Sequence, residues 1–121
     1  MSHSLLIVDD SSFSRRMIKH AIPAGWNVEI SEADGGQSAL DQCQQQQFDF
    51  VFLDLTMPEV DGIEVLKQLQ QRHYAATIFV ISADIQHGVQ QEALELGAKG
   101  FIPKPITAEQ LETMLRQEGA L

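Results

Sequence analysis

Residues 50–58 read Phe-Val-Phe-Leu-Asp-Leu-Thr-Met-Pro, and no other stretch restricts the fold so strongly. Four apolar, mostly β-favouring residues run unbroken into Asp54, after which Pro58 and Asp61-Gly62 signal a turn. A short apolar run bounded by breakers describes a strand covered on both faces, as in a parallel sheet lying between helices. Such a strand delivers one carboxylate at its end.

Three other apolar runs finish in the same manner. Leu5-Leu6-Ile7-Val8 ends in Asp9-Asp10, Ile78-Phe79-Val80-Ile81 ends in Ser82, and Phe101-Ile102-Pro103 ends in Lys104-Pro105. In an open parallel α/β sheet the carboxyl ends of the strands line one edge, where ligands bind at the topological switch point. Three acids, a hydroxyl and a lysine are therefore expected to share one crevice.

The intervening segments carry helical periodicity. Asp10, Ser11 or Ser12 can cap a first helix whose Phe13, Met17, Ile18 and Ala21 recur at helical spacing, with Pro23 and Gly25 ending it and Arg15, Arg16 and Lys19 on its exposed face. Val28 to Ala33 alternates as a half-exposed strand. Helices are then predicted from Gln37 to about Gln46, from Ile63 to near Arg72 or His73, from Val89 to Leu96 before Gly97, and from Thr107 or Ala108 to near Glu118-Gly119. The remaining strands are Thr77 to Ser82 and Gly100 to Pro103. Five alternating strands and helices imply right-handed βαβ units and a three-layer α/β sandwich. With 121 residues the chain is expected to be one domain, residues 1–121.

Charge and composition narrow the function. Eight Lys and Arg against 17 Asp and Glu leave a net charge of −9, which disfavours binding to nucleic acid or an anionic membrane and favours partners with basic patches. Cys43, the sole cysteine, falls on an apolar helix face and is read as core, in keeping with a reducing, cytoplasmic setting. No apolar run approaches the roughly 20 residues of a membrane span, and no secretory leader precedes Leu5. His3, His20, His73 and His87 are scattered without metal-ligand spacing.

Carboxylates brought together repel unless a cation lies among them, and a few hard oxygen ligands suit Mg²⁺. Asp9, Asp10 and Asp54 thus predict a Mg²⁺ site. A carboxylate beside that ion can attack a phosphoryl group to form an aspartyl-phosphate, provided that cations and donors surround the equatorial oxygens. Ser82 and Lys104 supply these. With strands about 4.8 Å apart, Ser82 comes from the adjoining strand, whereas a group two strands away needs a stem as long as lysine's.

Together these residues resemble the receiver domain of two-component response regulators. Asp9-Asp10, the frame Asp54-Leu-Thr-Met-Pro-Glu-Val-Asp-Gly62, Ser82-Ala83 and the run from Gly97 to Pro105 match that family's pattern in order and spacing over almost the whole chain. The resemblance implies the flavodoxin-like strand order 2-1-3-4-5. It implies that Asp54 accepts a phosphoryl group from a sensor histidine kinase or phosphotransfer protein, with Asp9, Asp10, Asp54 and the main-chain carbonyl of Thr56 around Mg²⁺. Lys104 then holds a phosphoryl oxygen, Ser82 bonds another, and Phe101 is the aromatic switch that alters the surface of the fourth helix, fifth strand and last helix. Thr56 and Asp84 match positions flanking the water that hydrolyses the aspartyl-phosphate.

The expected protein is a signalling switch that catalyses only its own phosphotransfer and dephosphorylation. Its output would pass to a downstream protein or an output domain, and the altered surface could also serve a homodimer. A haloacid-dehalogenase-type phosphatase would want an acid two residues after the nucleophile, where this chain has Thr56. A module working without phosphorylation would more often have lost an acid or the lysine.

Overall fold

The computed structural model describes residues 2–84 and 86–121. In chain order the elements are β1 (His3–Val8), α1 (Ser12–Ala21), β2 (Val28–Ala33), α2 (Gly36–Gln45), β3 (Phe50–Leu53), α3 (Gly62–Gln71), β4 (Thr77–Ser82), α4 (His87–Glu95), β5 (Gly100–Pro103) and α5 (Ala108–Gln117). The five strands form one parallel sheet in the order β2-β1-β3-β4-β5, a flavodoxin-like arrangement as expected.

The two-residue period of the strands divides the core. Leu6, Val8, Val51, Leu53 and Val80 point to one face, where they meet Leu40 and Cys43 of α2, Val65, Leu66 and Leu69 of α3, and Ala93 of α4. Leu5, Ile7, Phe50, Phe52, Phe79 and Ile81 point to the other, against Ile18 of α1 and Leu111 and Leu115 of α5. Cys43 is buried core, as its helix position suggests. The four residues of β3 are all buried, which explains why their sequence shows no alternation.

Several boundaries and faces differ from expectation. β1 begins at His3 rather than Leu5 because edge pairing extends it: His3 and Ser4 lie in register with Val28 and Glu29, and Ser4 N donates to Asp49 Oδ2 at 2.9 Å. On α1, Phe13 and Met17 are exposed, at 66% and 43%, while Ile18 and Ala21 turn inward. A helix advances about 100° per residue, so the arc facing the sheet is filled by Ile18 and Ala21 and leaves Phe13 and Met17 on its flank. There they line a groove with Lys104, Pro105 and Ile106.

Asp61-Gly62, read as a turn, starts α3: Asp61 is the N-cap, accepting from Glu64 N at 2.9 Å, and Gly62 is the first helical residue. Among the cap candidates for α1, Ser11 takes the position and accepts from Ser14 N. Thr107 caps α5 in a reciprocal box with Gln110.

Among the described residues, no helix is long and apolar enough to cross a membrane.

Candidate functional site

The sheet ladder itself carries the polar residues over its carboxyl edge. Asp9 N donates to Ala33 O at 3.1 Å, Asp54 N to Val8 O at 3.0 Å, and Lys104 N to Ser82 O at 3.0 Å. Each residue is thus held by the last carbonyl of the adjoining strand, one step beyond its own strand. The side chains emerge together above β1, β3, β4 and β5.

One carboxylate oxygen from each of Asp9, Asp10 and Asp54 can be chosen so that all lie within 4.8 Å of one another. Asp9 and Asp54 are buried and Asp10 is exposed, so the cluster opens to solvent on one side. Asp9 Oδ1 accepts from Ser11 N at 2.9 Å, and its Oδ2 accepts from Lys104 Nζ at 2.7 Å. Lys104 Nζ lies 3.6 Å from Asp54 Oδ2. The Lys104–Pro105 peptide is cis.

Burial pushes the Asp54 carboxyl above the usual carboxylate range. The Lys104 ammonium pulls it back down, the Asp9 charge pushes it up, and the Thr56 amide and Ser82 hydroxyl lower it. Thr56 N stands 3.4 Å from Asp54 Oδ1, a long contact. Ser82 is fully buried, and its Oγ accepts from Asp84 N at 3.2 Å.

Three hard oxygen donors converging on one point, two of them desolvated, form a set that a small divalent cation compensates better than a lone ammonium can. Lys104 meets part of that need. Electron-pair donors, a cation and the buried Ser82 hydroxyl around Asp54 are also the groups that transfer of a phosphoryl group to a carboxylate requires.

Thr56 and Asp84 border one cavity, together with Leu55, Met57, Asp61, Ile63 and Val89. Phe101 stands apart from the acids. It lies on β5 in register with Val80, half-buried against the core shared with α2, α3 and α4.

Two contributors escape a reading of the sequence. Arg15, expected on the exposed face of α1, is only 16% exposed in its side chain; its Nη1 donates to the Asp9 carbonyl at 2.6 Å and its Nε to Glu32 Oε1 at 2.9 Å. Lys19 likewise pairs with Glu32, at 2.9 Å, and only Arg16 of the three matches the expected solvated cation. No local sequence signal marks the Arg15 contact, because Glu32 arrives from β2. Gly62 is the second: a Cβ built there would lie 2.4 Å from the Asp54 carbonyl oxygen. Its Asp-Gly position is a usable signal, though for a close approach rather than for a turn.

Comparison with known proteins finds similar sequences and similar folds. The family model described as the response regulator receiver domain matches residues 5–116. The chain is 39% identical over 111 residues to the chemotaxis protein CheY of Bacillus subtilis, covering 92% of each chain. It is 41% identical over 106 residues to CheY of Thermotoga maritima, covering 87% of this chain and 88% of that one. Among solved structures, it is similar to a CheX–CheY–BeF3–Mg²⁺ complex from Borrelia burgdorferi, with a TM-score of 0.87, 29% identity, and coverage of 97% of this chain and 89% of that one.

Proposed function

The chain belongs to the family of response regulator receiver domains, signalling switches of two-component systems, and from that premise we propose that its switch is thrown by phosphorylation of Asp54 with Mg²⁺. One observation carries the reading: Asp9, Asp10 and Asp54 converge within 4.8 Å, with Lys104 Nζ 3.6 Å from the Asp54 carboxylate. The Borrelia relative, whose complex contains Mg²⁺ and BeF3, supports the same assignment.

Asp9, Asp10, Asp54 and the main-chain carbonyl of Thr56 would hold Mg²⁺, directly or through water, and the ion would neutralise these carboxylates and the phosphoryl oxygens. An Asp54 carboxylate oxygen attacks the phosphorus of a phosphohistidine on a sensor kinase or phosphotransfer protein. A P–O bond forms, the P–N bond breaks, and the imidazole nitrogen leaves with the electron pair. Lys104 holds one phosphoryl oxygen and the Ser82 hydroxyl donates to another. The aspartyl-phosphate is then lost in a separate hydrolytic step: water attacks phosphorus and gives up a proton to solvent, the P–O bond to Asp54 breaks with its electron pair restoring the carboxylate, and inorganic phosphate departs. Thr56 and Asp84 border the approach of that water.

Phosphorylation replaces the single negative charge of the Asp54 carboxylate with a phosphoryl group carrying roughly −1.5 to −2, and presents three acceptor oxygens at a buried position. Ser82 follows those oxygens, and the space it leaves admits the ring of Phe101. As a phenylalanine, residue 101 transmits by packing, with no hydroxyl to bond a partner. The altered surface is that of α4, β5 and α5, which carries the exposed Leu94, and there a downstream protein, an output domain or a second copy would dock.

The test is incubation with acetyl phosphate and Mg²⁺ followed by intact mass measurement of wild type and Asp54→Ala. An acid-stable, base-labile phosphoryl adduct on wild type alone is expected. Absence of the adduct, with Mg²⁺ uptake demonstrated and rapid decay excluded by a beryllofluoride control, would favour a module acting without phosphorylation.

A further inference from the structure

Two of the acids stand next to each other in the chain, and the peptide between them is gripped by a third residue. Asp9 is anchored through both carboxylate oxygens, by Ser11 N and Lys104 Nζ. Asp10 is exposed, so the direction its carboxylate takes depends on the plane of the Asp9–Asp10 peptide, a rigid unit. The oxygen of that peptide is the Asp9 carbonyl, and Arg15 Nη1 donates to it at 2.6 Å.

Arg15 is itself held from the far side. Its Nε bonds Glu32 Oε1 at 2.9 Å, and the second Glu32 oxygen is occupied by Lys19 Nζ, also at 2.9 Å. Glu32 lies on β2 in register with Ile7 of β1, so the acceptor is set by sheet pairing rather than by a mobile loop. A planar guanidinium can meet the carbonyl and the carboxylate at once through different N–H groups, which a single ammonium does poorly.

We infer that Arg15 is a positioning residue for the metal-binding acids, fixing the Asp9–Asp10 peptide so that Asp10 faces Asp9 and Asp54, with Glu32 holding Arg15 in place. The inference rests on the reading that these acids bind Mg²⁺. It makes a prediction opposite in sign to the obvious electrostatic one. A cation near a cation site disfavours metal binding, so removing the Arg15 charge alone should tighten Mg²⁺. Loss of a group that orients ligands weakens it, commonly by about 10- to 100-fold for partners of this kind.

The experiment is Mg²⁺ titration calorimetry of wild type, Arg15→Ala and Arg15→Lys, with the Tm of each measured in chelator. We expect Arg15→Ala to bind Mg²⁺ about tenfold or more weakly, and Arg15→Lys, which keeps the charge but not the fork, to fall between it and wild type. Equal or tighter binding by both variants would overturn the inference and leave the metal reading intact. A lowered Tm with unchanged affinity would also overturn it, since that is the mark of a merely structural contact. Should Arg15→Ala fail to fold, Arg15→Lys decides alone, because a pure charge effect predicts no change. A wild type that takes up no Mg²⁺ would overturn the metal reading and the inference together.

Discussion

Lys104 is shared unequally between two acids: its Nζ stands 2.7 Å from Asp9 Oδ2 and 3.6 Å from Asp54 Oδ2. The ammonium group is therefore bonded to a carboxylate assigned to the metal, and only approaches the one assigned to the phosphoryl group. A metal held by these acids would compete with the lysine for Asp9. Occupation of the acids by a cation would free Lys104 for the oxygens of an incoming phosphoryl group.

Lys104→Ala should accordingly separate metal binding from chemistry. Mg²⁺ affinity is expected to rise roughly three- to tenfold, equivalent to about 0.7–1.4 kcal/mol, since a competing cation is removed. Adduct formation from acetyl phosphate should fall at least about tenfold, because one charge-assisted contact to the phosphoryl oxygens is lost. Calorimetry and timed intact mass measurements read the two effects. Weaker metal binding in the variant would contradict the competition.

Thr56→Ala and Asp84→Ala should alter the lifetime of the aspartyl-phosphate without unfolding the domain. Thr56 is exposed, Asp84 is half-exposed, and neither packs into the core clusters. Stability should change by no more than about 0.5 kcal/mol, as for surface substitutions in general. Decay of the adduct after removal of the phosphodonor is the measurement, and unaltered decay in both variants would remove these residues from the reaction.

Gly62→Ala should damage fold and site together. A methyl group there would lie 2.4 Å from the Asp54 carbonyl oxygen and 2.7 Å from Leu55 Cα, distances that only movement of the acceptor loop can relieve. We expect a loss of about 2–4 kcal/mol in urea denaturation. Gly88→Ala provides the control: within α4 its added methyl meets nothing inside 4 Å, and a gain of about 0.5–1 kcal/mol is expected from helix propensity.

Tyr74, the sole tyrosine, should give stability a distinct alkaline limit. Its hydroxyl donates to Gln46 O at 2.7 Å and accepts from Phe48 N at 2.7 Å, tying the end of α2 to the segment before β4. Burial is the main cause that pushes the phenol up to about 12. Below pH 10 the group is neutral in both folded and unfolded chains; between about 10 and 12 the unfolded chain ionises first, so stability is lost as pH rises through that window. Phenolate absorbance gives the titration directly. Tyr74→Phe should remove this residue's share of the alkaline loss, leaving that of the Cys43 thiol, which burial also pushes up, and cost about 1–3 kcal/mol at neutral pH, because the Phe48 amide loses its acceptor.

Much of the site is legible in the sequence because its signals are local. An apolar run that stops at an acid, a hydroxyl or a lysine marks a strand end, and four such ends in one parallel sheet must lie along one edge. Asp9, Asp10, Asp54, Ser82 and Lys104 are all marked in this way. The helices are legible through their periodicity, but their faces are less so. Phe13 and Met17 satisfy the helical period and still lie outside, since the width of the buried stripe depends on how closely α1 packs on the sheet.

What only the tertiary structure decided lies between residues far apart in the chain. The preference of Lys104 for Asp9 joins positions 95 residues apart, and the grip of Arg15 on the Asp9 carbonyl depends on Glu32 from a strand paired through backbone hydrogen bonds. The close passage of Gly62 beneath Asp54 is likewise a matter of how the acceptor loop folds back. Composition and periodicity determine which residues leave the ends of strands, because those are properties of neighbouring residues. The partner each charge takes is settled by distance and burial, which exist only once the layers have packed.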